Sequence, residues 1–511
     1  MMRIPFGNLP SMSTLFLDYV ADWNRVRNFY PRDYSLESII AFSRERPRLD
    51  PAHRRRLCDV LAEQQKSWGG TTASLQRLYE GACVVIAGQQ PGLFSGPLYT
   101  VLKAITVIKL ARALEENGVS AVPVFWIAAE DHDHLEIKST TIIDRDSQLQ
   151  HLQVDFSNDE CAPVGWLRLG DEVVGTITQC LSQLPESEFQ PAVKNLLEVS
   201  YRPGVSPVDA FGGMMTKLFD GTGLILVDPL HPELKSLAEP VLKNAVRQNA
   251  AIRSAVLSRS RALTQEGYHE QVKVDANFTG LFAYNGKSRV ILQPEELTLN
   301  SMLSPSALLR PAVQDSIFPT AAFVAGPAEL AYMGQAAAVY DMLRIPVPPV
   351  VPRISATVLE ARVTRMVRKY DMTFPDVLRG RDFLRRKAVE SLQGVEIFDG
   401  VRDRISEQLE SLRGAVRAVD PTLEGAIDTS RQKVMHQIEG LRTKFINAEA
   451  RRNDVLERHL DAIANSLFPE KKLQERVINV TSFLARYGSS FIAKLQEDLT
   501  LDSREHQVIE I

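Results

Sequence analysis

From Trp126 to Glu136 the chain reads Trp-Ile-Ala-Ala-Glu-Asp-His-Asp-His-Leu-Glu, and six of the last seven residues are ionisable. Glu130, Asp131, His132, Asp133, His134 and Glu136 begin where an apolar run ends. Crowding four carboxylates and two imidazoles at a strand end is costly unless a cation, a substrate amine or a metal compensates. One suitable chemistry is amine activation: a carboxylate holds an ammonium, and His132 or a carboxylate takes its proton. The other is metal ligation by His132, His134 and an acid, but His-x-His with flanking acids is a weak ligand signal, and no metal is assigned. Glu130, Asp131, His132 and Asp133 are therefore the candidate catalytic residues, with Trp126 beside them as a binding residue.

A second segment, Gly88-Gln-Gln-Pro-Gly-Leu-Phe-Ser-Gly-Pro-Leu-Tyr-Thr-Val-Leu-Lys103, joins a short apolar run to a helical one. Glycines let backbone approach a ligand closely, and free N–H groups at a helix start favour an anion. Gln89, Gln90, Gly92, Gly96, Tyr99 and Lys103 are candidate binding residues there. The segment is neither a GxGxxG nor a Walker A loop, and a plain glycine-rich strand-to-helix turn would read the same. In Gly326-Pro-Ala-Glu-Leu-Ala-Tyr332, Glu329 either meets a ligand beside Tyr332 or only complements a helix dipole. In Pro352-Arg-Ile-Ser-Ala-Thr357, Arg353 can clamp a carboxylate or phosphate, while Ser355 and Thr357 either join it or cap the next helix.

Four segments of this kind need a scaffold that brings strand ends together. Ala82–Ala87 and Ala121–Ala128 are β-branched apolar runs flanking a helix expected to open at Pro97, a βαβ unit. Leu224–Val227, Ala321–Ala325 and Val347–Val351 read as further core strands, and Tyr284-Asn-Gly-Lys287 as a tight hairpin turn. Ligands of open α/β sheets sit beyond the carboxyl ends of the strands. From Val401 to Ala448 apolar residues recur every three or four positions, a coiled-coil signature. Asp420-Pro421 should break it into an antiparallel helical hairpin whose seam closes internally or against a second subunit. The boundaries expected are residues 1–150 for N-terminal helices and the first half of the core, 151–290 for an insertion, and 291–375 for the second half. Residues 376–470 form the arm, and 471–511 a helical return.

The 511 residues carry 59 basic and 63 acidic side chains, a net charge of −4, which gives no bulk attraction for nucleic acid or an anionic membrane. The four cysteines are scattered without a CxxC pair, as in a reducing cytoplasm. No apolar run reaches ~18 residues, so no membrane span is expected.

Gly88-Gln-Gln-x-Gly…Gly96-Pro-Leu-Tyr, Trp126-x-Ala-x-Glu-Asp-His-Asp133, Gly326-Pro-x-Glu-Leu-Ala-Tyr332, Pro352-Arg-x-Ser-x-Thr357 and Leu473-Gln-Glu-Arg476…Tyr487-Gly488 occur in one order along nearly the whole chain. In this the chain resembles the bacillithiol-biosynthesis cysteine-adding enzymes. The resemblance implies an α/β fold: a Rossmann-like nucleotidyltransferase core, akin to class I aminoacyl-tRNA synthetases, with connecting-peptide insertions and an α-helical coiled-coil arm that makes a homodimer. It implies a ligase joining L-cysteine to glucosaminyl-malate through an amide bond, the last step of the pathway, with ATP or another nucleotide as activator. Gly96-Pro-Leu-Tyr99 carries no histidine where the ATP-binding signature of that class has one. The competing readings are another synthetase-like amide ligase and a non-catalytic coiled-coil dimer scaffold.

Overall fold

The structure is a computed structural model and describes residues 2–156, 161–299, 302–390, 396–452, 454–501 and 504–511. It divides into two compact units, the first made of the chain up to Arg145, Leu149–Thr357 and Glu475–Ile509, the second centred on Val358–Gln474.

The first unit is built on five parallel strands: β1 (Cys83–Gln89), β2 (Ala121–Ile127), β3 (Ile225–Val227), β4 (Thr320–Ala325) and β5 (Val350–Pro352). Their spatial order is β5-β4-β1-β2-β3. Strands buried on both faces read as unbroken apolar runs, as β1, β2 and β4 do. The chain leaves β1 towards β2 and β3 but returns at β4 and turns the other way to β5. The winding therefore reverses between β1 and β4, which places the carboxyl ends of those two strands at the mouth of a crevice.

Helix α1 (Tyr99–Glu116) connects β1 to β2, and α2 (Pro327–Leu343) connects β4 to β5. Both are apolar nearly all round, the pattern of helices covered on most sides. α1 opens at Tyr99, two residues after the expected Pro97. Pro97 instead bridges to Asn479, and the Leu98 N–H is donated to the Ile478 carbonyl at 2.9 Å. A three-stranded antiparallel sheet pairs Leu281–Tyr284 with both Arg289–Ile291 and Leu303–Pro305. Its hairpin has a four-residue connection, in which Asn285 accepts N–H bonds from Lys287 and Ser288 and Gly286 sits at φ +90°. The last strand, Glu505–Glu510, pairs antiparallel with Met2–Pro5, and its Gln507 N–H is donated to the Ser355 carbonyl at 2.9 Å.

The second unit is helical. Its long arm runs up through Glu396–Ser411 and Arg413–Val419 and back through Glu424–Arg452. Asp420-Pro421 makes the break: the Asp420 carboxylate accepts the Thr422 N–H at 2.9 Å. The direction is antiparallel, since Phe398 meets Phe445 at 5.3 Å and Arg413 meets Asp428 at 2.8 Å. Part of the apolar stripe is not covered within the hairpin, for Val419 and Leu441 remain 84% and 60% exposed. Among the described residues no helix is long and apolar enough to cross a membrane.

Candidate functional site

The crevice at the winding reversal holds a cavity of about 670 Å³. Gly88, Gln89, Gln90, Tyr99, Lys103 and Trp126 line it from the β1 and β2 side. Glu130, Asp131, His132, Asp133 and Glu136 follow from the loop after β2, and Gly326, Glu329, Tyr332 and Arg353 come from the β4 and β5 ends. The two loops are joined directly, Gln90 Nε2 donating to Asp131 Oδ2 at 2.6 Å.

Lys103 ties the two halves of the sheet together. Its buried ammonium donates to the Gly88 carbonyl at 2.7 Å and Gln89 Oε1 at 2.9 Å, and pairs with Glu329 Oε2 at 2.5 Å. That uses all three of its hydrogens. Burial pushes the Lys103 pKa down, and Glu329 opposes that shift. Glu329 also accepts the Gly326 N–H at 2.8 Å, capping α2. Lys103 and Glu329 thus serve each other before any ligand.

The turn after β1 spends most of its N–H groups within the protein. The N–H groups of Gly92, Leu93, Gly96, Leu98 and Thr100 are donated to main-chain carbonyls, and that of Ser95 to the Tyr201 hydroxyl at 3.0 Å. Phe94, Ser95 and Gly96 all sit at positive φ (52°, 73° and 71°), a costly run for residues with side chains. Asn479 holds it, its buried Nδ2 donating to the Phe94 carbonyl at 2.9 Å and the Gly96 carbonyl at 2.8 Å. Gly92 and Gly96 do not line the cavity; their glycines serve close packing. A Cβ on Gly92 would lie 2.8 Å from the Gly96 Cα. Gly92→Ala should therefore cost about 1–3 kcal/mol through forced backbone displacement, read as a lowered urea midpoint with an unchanged slope.

Ser355 and Thr357 also fall outside the cavity. Their hydroxyls lie 2.8 Å from Nδ1 and Nε2 of buried His506. Ser355 Oγ further donates to Glu475 at 2.9 Å. Burial pushes the His506 pKa down to about 4. The last strand, brought in from far along the chain, is what turns these two side chains inward. Arg353 reaches the cavity with its guanidinium 5.5 Å from the Tyr99 ring centre. Its Nη atoms, however, are committed to Glu475 at 2.6 Å and the Ile354 carbonyl at 2.8 Å. Two of its five N–H groups are thus engaged by the protein itself.

Within the acidic loop the roles separate. Glu130 is buried, paired with Lys235 and hydrogen-bonded by the Tyr284 hydroxyl at 2.8 Å. Burial opposes its ionisation, but Lys235 and Tyr284 outweigh burial and hold its pKa below the ordinary value. It is thereby the counter-ion of Lys235, not a proton acceptor. Asp131 Oδ1 accepts the His132 N–H at 2.7 Å and so shapes its own loop. His132 Nδ1 lies 3.1 Å from Arg289 Nη1, whereas His134 turns away to the Ala162 carbonyl at 2.7 Å. The two imidazoles do not converge on one point, and among the described residues no cluster of three or more His, Cys, Asp or Glu could hold a metal. Glu136 lines the cavity, and its pKa is raised by partial burial and by Asp133 and Asp131.

Several cavity groups have no signal in local sequence. Lys273, Arg310 and Arg476 line it with no carboxylate ion pair among the described residues. Arg310 donates to Gln314 at 3.0 Å and to the Tyr332 hydroxyl at 2.9 Å. Gln90 and Ser306 line the cavity, and their buried Oε1 and Oγ atoms have no hydrogen-bond partner among the described residues. Of these, Gln90 lies in Gly88–Lys103 and Arg476 in Leu473–Arg476, both segments that sequence singled out. Lys273, Arg289 and Ser306 come from hairpin and loop positions, and Arg310 opens the helix Arg310–Ile317; no periodicity marks any of them.

Comparison with known proteins gives a consistent result. Residues 2–354 match the family model described as bacillithiol biosynthesis BshC, N-terminal Rossmann-like domain. Residues 356–511 match the BshC C-terminal coiled-coil domain. A Koribacter versatilis protein named "Putative cysteine ligase BshC" is 34% identical, with 99% of each chain covered. Proteins of the same name from Salinibacter ruber and Bacillus anthracis are each 31% identical, the first over 99% of this chain and 98% of its own, the second over 84% and 85%. A solved Campylobacter jejuni chain described as an arginyl-tRNA synthetase aligns at 10% identity with a TM-score of 0.21, covering 87% of this chain and 98% of its own. A likeness that low carries no argument. On two family models that together span the chain, and relatives above 30% identity along its length, this protein belongs to the bacillithiol biosynthesis BshC family.

Proposed function

We propose that this protein is a ligase that joins the carboxyl group of L-cysteine to the amine of glucosaminyl-malate, completing bacillithiol. The names of its relatives support the cysteine half of that reading. The observation that carries it is the polarity of the cavity. Asp131, Asp133 and Glu136 face it on one side, and Lys273, Arg310 and Arg476 line it with no carboxylate ion pair among the described residues. A ligand bearing an ammonium and two carboxylates matches both sets.

The amine enters as an ammonium, loses one proton to a carboxylate to become nucleophilic, and loses a second as the C–N bond forms. The departing carboxyl oxygen leaves with its activating group, for which ATP or another nucleotide is the expected source. In the turn after β1 the N–H groups of Gly92, Leu93, Ser95, Gly96, Leu98 and Thr100 are already donated within the protein, so no step is assigned to a nucleotide there. A homodimer through the arm is part of the proposal, the uncovered Val419 and Leu441 favouring a second copy.

Deleting the gene should abolish the thiol and accumulate glucosaminyl-malate, read by mass spectrometry of cell extracts. Unchanged thiol levels would reject the assignment. Loss of the thiol without accumulation of the amine would move the protein to an earlier step.

A further inference from the structure

We propose that Arg289 is a positioning residue that locks His132 as a neutral imidazole with its proton on Nε2, making His132 a hydrogen-bond donor to the reacting carbonyl and not the base. The proposal rests on the amide-forming reading only for what the donor does; the lock itself follows from geometry.

Arg289 stands on the hairpin strand Arg289–Ile291 and is only 7% exposed. Nε donates to Ser304 Oγ at 3.0 Å and Nη2 to the Pro305 carbonyl at 2.7 Å, while the guanidinium sits 3.8 Å from the Phe282 ring centre. Held by these three contacts, it presents Nη1 to His132 Nδ1 at 3.1 Å. Guanidinium has donors only and does not deprotonate in proteins. Nδ1 must therefore offer its lone pair, and the single ring proton lies on Nε2.

The charges facing His132 are Asp131 and Asp133 on its own loop, His134 beyond them, and Arg289 from the hairpin. Asp131 Oδ1 is 3.9 Å from Nδ1, outside hydrogen-bond reach, and its nearer bond goes to the His132 main chain. Burial and Arg289 together outweigh the two aspartates and hold His132 below its ordinary pKa. Protonating Nδ1 would set an N–H against a guanidinium that cannot move away. A neutral imidazole used as an electrophile is a known catalytic device, and losing one such donor costs ~10²–10³ in kcat.

The test is NMR of histidine-selectively ¹⁵N-labelled protein, with the His132 signals assigned through His132→Gln. The Nε2–H neutral tautomer is expected at pH 7, with protonation only below the ordinary imidazole value of ~6.5. An Nδ1–H tautomer, or an imidazolium at pH 7, in the native protein overturns the proposal whether or not any variant folds. In folded Arg289→Met, the ring should populate both tautomers and titrate nearer ~6.5, with kcat reduced ~10²–10³ and KM little changed. An unaltered tautomer in that variant also overturns it. If the native tautomer is as stated but the protein forms no amide from cysteine and the amine, the functional reading fails while the lock stands.

Discussion

Replacing Arg353 with Met should destabilise the α/β unit by about 3–5 kcal/mol, the cost of stranding a buried charge. Its partner Glu475 is 1% exposed. That carboxylate accepts Arg353 Nη2 at 2.6 Å, Ser355 Oγ at 2.9 Å and the Ala356 N–H at 2.8 Å. Burial works against its ionisation, yet Arg353, His506 and the Ala356 N–H keep its pKa below the ordinary value. A depressed carboxyl contributes stability that is fully present above its unfolded pKa of ~4.3 and is lost as pH falls through the folded value. In Arg353→Met only burial and the weaker partners remain, so the carboxyl should bind a proton on folding. The variant would then gain stability towards acid, where the native protein loses it. Urea unfolding at a series of pH values checks both signs. Arg353→Met/Glu475→Gln should recover most of the loss, because no charge is left unpaired. A single variant as stable as the native protein would mean that the pair is solvated.

Glu136→Gln should lower kcat by ~10²–10⁴, the usual worth of a general base, and leave KM nearly unchanged. The other carboxylates of the loop are already engaged. Glu130 is held by Lys235 and Tyr284. Asp131 binds Gln90 and its own loop, and Asp133 accepts the Leu135 N–H at 3.1 Å. Glu136 lines the cavity and accepts no side-chain hydrogen bond from the described residues. Burial and then the charges of Asp133 and Asp131 raise its pKa, so it gives up its proton at higher pH than an ordinary glutamate. The acid limb of kcat/KM should therefore lie above ~4.3 and move to lower pH in Asp133→Asn, where one repelling charge is gone. A profile unmoved by that substitution, or full activity in Glu136→Gln, would remove Glu136 from the proton-transfer role.

The sheet was readable because parallel strands buried on both faces leave runs such as Cys83–Ala87 and Val122–Ile127, in which every residue must be apolar or small. Placing Gln89 and Asp131 in one crevice followed from the same cause, for Gln89 ends β1 and Asp131 lies just past the carboxyl end of the neighbouring β2. What could not be read was which polar atoms remain unspent. Gly88–Lys103 has the composition of an anion-binding turn, but Tyr201, Ile478 and Asn479 arrive from far along the chain and absorb its hydrogen-bonding capacity. Ser355 and Thr357 have helix-capping chemistry, and His506 claims both. The His-x-His pair looked symmetrical until Arg289 and the Ala162 carbonyl divided it. Each departure is a long-range polar contact, which leaves no periodic trace near the residue it redirects.

The anchoring of the β1 turn by Asn479 and of Arg353 by Glu475 bears on the order in which the molecule matures. A nascent chain that has emerged from the ribosome through Thr357 already owns every strand of the parallel sheet. It still lacks the amide that restrains Phe94 and Gly96 and the carboxylate that neutralises Arg353. Synthesis must run past the entire helical arm before Glu475 and Asn479 can complete these contacts and the crevice can set.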